Sequence, residues 1–173
     1  RKRLAVVPQR PFLFSDTISS NVALEGGADQ GRIERAVAAA ALFPDIEALQ
    51  DGMQTVVGER GIMLSGGQRQ RVALARGLYR QGDLLILDDV LSAVDHATEA
   101  GLVDTLEALS SADGGPTVLI ASHRLSALRR TDMVLVMDRG RLIDVGCHDE
   151  LVERPGIYRD TWLAQRAGAP SAD

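Results

Sequence analysis

With 173 residues, 45% of them hydrophobic, the chain can bury a real core, and one α/β domain is the natural count. A formal charge of −5, from 24 acids against 19 bases, gives no reason to expect nucleic-acid binding. The single cysteine, Cys147, excludes an internal disulfide framework and a multi-cysteine metal site, and it fits a reducing compartment. The longest uninterrupted apolar run, Ala36 to Phe43, falls far short of the roughly 20 residues that a membrane-spanning helix needs. No signal-peptide pattern opens the sequence, so this polypeptide is not expected to cross a membrane by itself.

The first predicted element is a strand over Leu4 to Val7, entered from Arg1-Lys2-Arg3 without a turn or cap, which suggests that the chain begins inside a domain. Lys2 is the sole lysine, so no G-x-x-x-x-G-K-[ST] loop is present to cradle phosphates. Pro8-Gln9-Arg10-Pro11 follows, and the prolines force extended backbone on the residues before them, placing Gln9 in a loop at a strand end. There its amide oxygen can coordinate Mg²⁺ or hold a water; taken by itself, the surface-glutamine reading is the stronger one. Phe12-Leu13-Phe14 reads as a docking loop or a local plug, with Ser15 or Asp16 able to cap a helix beginning near Thr17. Helical spacing runs from Ile18 through Val22 and, after Gly26-Gly27, through Ile33 and Val37 to the alanines ended by Pro44; a short helix over Asp45 to Leu49 leads to the turn Asp51-Gly52. Thr55 to Gly61 reads, on physics alone, as a flexible charged loop.

Leu64-Ser65-Gly66-Gly67-Gln68 then opens an arginine-rich amphipathic helix. Ser65 is a good cap and the glycines let a ligand approach the backbone, so the unpaired N–H groups at this helix start can hold a phosphate, with the Ser65 hydroxyl as a further donor. Leu84 to Leu87 is an apolar run without polar alternation, as in a strand of a parallel sheet buried on both faces, and it ends in Asp88-Asp89. Acids at the carboxyl end of such a strand stand where open α/β sheets place ligands, and P-loop ATPases use this pattern to hold Mg²⁺ and orient water. Ser92-Ala93-Val94-Asp95 is turn-like. Thr117 to Ala121 precedes Ser122-His123, Leu125 to Arg130 reads as a short helix, and Met133 to Met137 as a buried strand. A turn at Asp138 to Arg141 returns the chain into a strand over Leu142 to Val145. A helix begins at His148 to Leu151, and another, from Tyr158 to Gln165, holds the only tryptophan; His96 and His148 read as surface residues.

Taken together, these motifs resemble the nucleotide-binding domain of ABC transporters, in the family's order and over nearly the whole chain. Gln9 matches the Q-loop glutamine, Thr55 to Gly61 resembles the cross-linking loop of exporters, and Leu64 to Gln68 is the signature motif. Leu84 to Asp88 matches the Walker B strand, Ser92 to Asp95 the D-loop, and Thr117 to His123 the switch strand with its histidine. The resemblance implies a RecA-like P-loop core with an inserted helical subdomain, lacking its N-terminal part: residues 15–80 helical, 81–167 core, and 168–173 a flexible tail. It implies ATP and Mg²⁺ as ligands, with Gln9 and Asp88 at the metal, Asp89 and His123 catalytic, and Ser65, Gly66, Gly67, Gln68 and Asp95 facing nucleotide. The implied partners are a second ABC ATPase domain, sharing its sites with this one, and the membrane domain of an exporter at the cytoplasmic face of the inner membrane. A soluble repair or translation ATPase and a non-catalytic remnant are the rival readings; the exporter-type loop argues against the first.

Asp89 departs from the family, whose hydrolysis-competent domains carry glutamate there. Aspartate is one methylene shorter, about 1 to 1.5 Å short of the water to be polarised, which can lower a rate roughly a hundredfold. The expectation is a slow site paired with an intact signature, hence a non-identical partner domain; the alternative is a homodimer that tolerates aspartate and hydrolyses slowly at both sites.

Overall fold

The computed structural model describes residues 3–24, 29–58 and 61–168. They form two units, Arg1–Ala121 and Ser122–Asp173.

The first unit is built on a parallel sheet of β1 (Leu4–Val7), β4 (Leu84–Asp88) and β5 (Thr117–Ala121), with β4 in the middle. The register aligns Val6, Ile86 and Leu119 in one row and Val7, Leu87 and Ile120 in the next. Helix α4 (Gly66–Arg80) lies against β1 and covers the face that carries Ala5, Val7, Leu85 and Leu87. Gly77 makes that approach possible, since a Cβ there would stand 2.7 Å from Val7 Cγ2. The opposite face is open, with Val6 at 53% and Leu119 at 49% exposure. The expected burial of β4 on both faces is therefore corrected: side chains alternate across a strand, and among the described residues only one side of this sheet carries a helix.

On α4 pack α1 (Ile18–Ala23) and α2 (Gln30–Ala39), around a core that includes Val22, Ile33, Val37, Val72 and Leu74. Three local expectations change here. Thr17, rather than Ser15 or Asp16, caps α1, its side chain accepting from the Ser20 N–H. Pro44 does not end a helix but sits in the first turn of α3 (Phe43–Glu47), where its missing N–H costs nothing; α2 has already stopped at Ala39. Val56–Val57 is not a loop but strand β3, paired antiparallel with β2 (Asp16–Thr17). Gly26-Gly27 and the Glu59-Arg60 pair lie outside the described residues.

The second unit holds the hairpin of β6 (Val134–Asp138) and β7 (Arg141–Gly146), followed by α6 (His148–Glu153) and α7 (Ile157–Gly168). Arg139 and Gly140 have φ of 47° and 75°, which suits the twist of a two-residue hairpin turn. The Met133 to Met137 segment is corrected from a buried strand to an alternating one: Val134 and Val136 point inward, while Met133, Leu135 and Met137 are exposed. A 3₁₀ turn over Leu125–Leu128 replaces the short helix, and α7 reaches Gly168, so only residues 169–173 of the expected tail lie outside the described residues. His148 is corrected from surface to interior. It is 6% exposed, its Nδ1 lies 2.8 Å from the Tyr158 hydroxyl, and its ring meets Trp162 edge-on at 4.7 Å. Burial, aided by Arg129, holds its pKa below the ordinary value, and burial raises that of Tyr158. Among the described residues no helix is long and apolar enough to cross a membrane.

Candidate nucleotide site

Gly66 and Gly67 open α4 behind a reciprocal cap: Ser65 Oγ accepts from the Gln68 N–H at 3.2 Å, and Gln68 Oε1 accepts from the Ser65 N–H at 2.8 Å. A hydroxyl that accepts there still has its own proton to donate. The Gly66 and Gly67 N–H groups precede any intrahelical acceptor, and a Cβ on Gly66 would meet nothing within 4 Å. Two amides and one hydroxyl proton thus stand at the positive end of a 15-residue helix, with open space beside Gly66, an arrangement that fits a phosphate.

The orientation of this helix start depends on a residue that the sequence reading passed over. Asp45, in the first turn of α3, accepts from Gln68 Nε2 at 3.2 Å and from Arg71 Nη2 at 2.6 Å. Its side chain and that of Arg71 are 19% and 15% exposed, so the pair is largely shielded from water. The i, i+3 spacing of Ser65 and Gln68 was a signal for the cap; nothing in the sequence linked Asp45 to it.

Parallel strands bring the second group together. Gln9 follows β1 by two residues, Asp88 ends β4, and Asp89 follows directly. Gln9 Nε2 donates to Asp89 Oδ2 at 3.1 Å. Asp89 takes left-handed backbone, φ 50° and ψ 32°, with its N–H on the Ala121 carbonyl at 2.8 Å and its own carbonyl accepting from Ser92 Oγ at 2.8 Å. Strain of this kind concentrates at functional sites, and aspartate tolerates it better than most residues. With Nε2 turned to Asp89, the oxygen of the Gln9 amide is left for a cation. The exposed Asp88 carboxylate is a second hard oxygen donor. Mg²⁺ characteristically takes one or two carboxylates and completes its shell with water and phosphate, so this sparse set fits it. Among the described residues no cluster of three or more His, Cys, Asp or Glu converges on a metal position.

The loop that carries Gln9 is anchored by Asn21, which is fully buried. Its Oδ1 accepts from the Phe14 N–H at 2.8 Å, and its Nδ2 donates to the Phe14 and Thr17 carbonyls at 2.9 and 3.0 Å. Arg76, from α4, donates to the Phe12 and Asn21 carbonyls at 2.9 and 2.8 Å, and burial lowers its pKa. Neither residue was singled out from sequence.

Asp95 caps α5 (His96–Ser111), its carboxylate accepting from the Ala97 and Thr98 N–H groups and the Thr98 hydroxyl at 2.8 to 3.0 Å. The Thr98 bonds, backbone first, hold its pKa below the carboxylate norm. His123 belongs to the second unit, where its side chain is exposed and its backbone carbonyl accepts from Gln165 Nε2 at 2.6 Å.

A family model described as ABC transporter matches residues 1–92, more than half of the chain. The chain belongs to the ABC transporter family. Among curated relatives it is 46% identical over 174 residues to "Multidrug resistance-like ATP-binding protein MdlA" of Escherichia coli strain K12, matching all of this chain and 29% of that one. It is 44% identical to the "ATP-dependent lipid A-core flippase" of Paraburkholderia xenovorans strain LB400, over 91% of this chain and 26% of the relative. Among solved structures, a bacterial Atm1-family ABC exporter with ATP bound superimposes with a TM-score of 0.88 at 40% identity, over 96% of this chain and 29% of that one. The chain thus spans between a quarter and a third of the length of these ABC proteins.

Proposed function

We propose that this chain supplies part of the ATP-binding and ATP-hydrolysing domain of an exporter, working with a second such domain and a membrane domain at the cytoplasmic face of the membrane. The observation that carries this reading is the open start of α4, where Ser65, Gly66 and Gly67 offer donors that no group among the described residues takes up. In the proposed arrangement they bind a phosphate presented by the opposite domain, and Gln68 fixes the cap. Asp88 and Gln9 supply oxygen ligands for Mg²⁺, whose charge would offset that of the phosphates. Asp89 takes the place of the residue that polarises the attacking water and does so slowly, His123 is a phosphate-contacting residue of the second unit, and Asp95 contributes through the turn it caps.

Gly66→Asp tests this directly. A side chain fits at Gly66 without collision, and an acid at a helix N-terminus favours the helix, so folding is retained. Facing a phosphate, the same carboxylate repels it. The complete transporter carrying Gly66→Asp should lose at least nine-tenths of its ATPase activity at an unchanged melting temperature; full activity would refute the assignment.

We further infer that the partner domain is non-identical and carries the glutamate that Asp89 replaces. The support is the Gln9 bond to Asp89: a short carboxylate drawn toward a neighbouring loop is poorly placed to polarise water.

A further inference from the structure

A cleft of about 410 Å³ opens among α2, the last turn of α4 and the C-terminal half of α5, all within the first unit. Pockets for small organic ligands run from about 300 to 1,000 Å³. Ala36, Ala39, Leu78 and Leu109 make its apolar floor, and the two alanines leave room that larger side chains would fill. Its charged groups are Arg32 and Arg35, and among the described residues no carboxylate lines it.

Arg32 is only partly matched. Its Nη2 donates to the Tyr79 carbonyl at 2.7 Å and its guanidinium lies 4.6 Å from the Tyr79 ring centre. Its Nε is buried and has no acceptor among the described residues. A guanidinium carries five donors and no acceptor, so Arg32 brings to this cleft a positive charge that the Tyr79 carbonyl matches only in part. Arg35 stands three residues along the same face of α2. Acids near the start of that helix are engaged: Asp29 Oδ1 accepts the Arg32 backbone N–H at 3.1 Å, and Glu34 Oε1 accepts from Gln30 Nε2 at 2.9 Å.

We propose that this cleft binds a small amphipathic anion, a carboxylate on a medium-length hydrocarbon body. The carboxylate takes the exposed Arg35 guanidinium through charge-assisted bonds, beside the positive charge of Arg32, and the hydrocarbon lies on the alanine and leucine floor. This site is distinct from the nucleotide-facing start of α4: at 1.5 Å per residue the two ends of that helix are roughly 21 Å apart. It therefore stands or falls independently of the ATPase reading. An occupant touches α2 and α4 on one side and α5 on the other, joining the helix that carries the signature to the one capped by Asp95.

The test is calorimetric titration of the full chain with sodium decanoate below its micelle concentration, with decanol as the uncharged control. Saturable one-to-one binding in the micromolar to submillimolar range is expected, with decanol at least tenfold weaker. Arg35→Gln, at an exposed position, should weaken decanoate at least tenfold without altering the melting temperature. Ala39→Trp should abolish binding by filling the floor. The proposal is overturned by the absence of saturable binding, by decanol matching decanoate, or by an unchanged affinity in folded Arg35→Gln. The last outcome alone is decisive even where Ala39→Trp does not fold.

Discussion

The start of α4 and the carboxyl ends of β1 and β4 are the two places proposed to meet a ligand, yet they are built in opposite ways. At α4 the functional groups are consecutive, Ser65 to Gln68, and they satisfy one another through a cap that closes over three residues. At the strand ends, Gln9 and Asp89 are 80 positions apart and meet only because β1 and β4 pair in parallel. The first geometry follows from helix-capping chemistry; the second exists only once the sheet has formed. In the proposed dimer the two also serve different nucleotides, the signature facing the partner's and the acidic pair facing its own.

The largest expected effect separates those two sites. In the complete transporter, Asp89→Asn should lower ATPase activity less than twofold, because a slow site contributes little. Glutamate to glutamine at the corresponding position of the partner domain should lower it about a hundredfold, or roughly 2.7 kcal/mol in barrier. Equal losses from the two changes, or purification of a transporter with a single kind of subunit, would remove the asymmetry.

A smaller effect tests whether the start of α4 is as self-contained as its sequence implies. Asp45→Ala leaves the mostly shielded Arg71 guanidinium without its carboxylate and frees Gln68 Nε2. Removing one member of a buried pair can cost 3 to 5 kcal/mol; with both side chains retaining some exposure, about 2 kcal/mol is expected, read as a shift in denaturant midpoint. Asp45→Asn, which keeps an acceptor for Gln68 and Arg71, should recover about half. A loss below about 0.5 kcal/mol would mean that the cap stands without α3.

These contacts also mark where sequence reading ended. Motif order identified the family and the parallel core strands, and it pointed to the two loops proposed to face ligands, because each rests on a contiguous pattern. Asp45 and Asn21 escaped notice because neither belongs to a motif: each matters through groups that packing delivers, Arg71 from 26 residues away and Arg76 from 55. The open sheet face escaped for another reason. An apolar run such as Leu84 to Leu87 reports that a strand can be buried on both faces, not what covers each. His148 was misplaced because a lone polar residue between a strand and a helix reads as solvated, and only the fold supplies Tyr158 and Trp162 around it.

The smallest expected effect lies in the second unit and depends on pH. The folded-state pKa of His148 is lowered, by burial first and by Arg129 second, against a weaker opposing pull from Asp149. Between that lowered value and the ordinary one near 6.5, the unfolded chain binds more protons than the folded one, so stability rises with pH through this window. The contribution is complete above about pH 6.5 and is lost as the solution is acidified. Trp162 is the only tryptophan and touches the His148 ring, so its fluorescence in urea reports this unit directly. Its unfolding midpoint should fall on going from pH 7.5 to 5.5, whereas in His148→Phe the same acidification should leave a smaller drop. An identical drop in both proteins would assign the acid sensitivity to other groups and return His148 to a purely packing role.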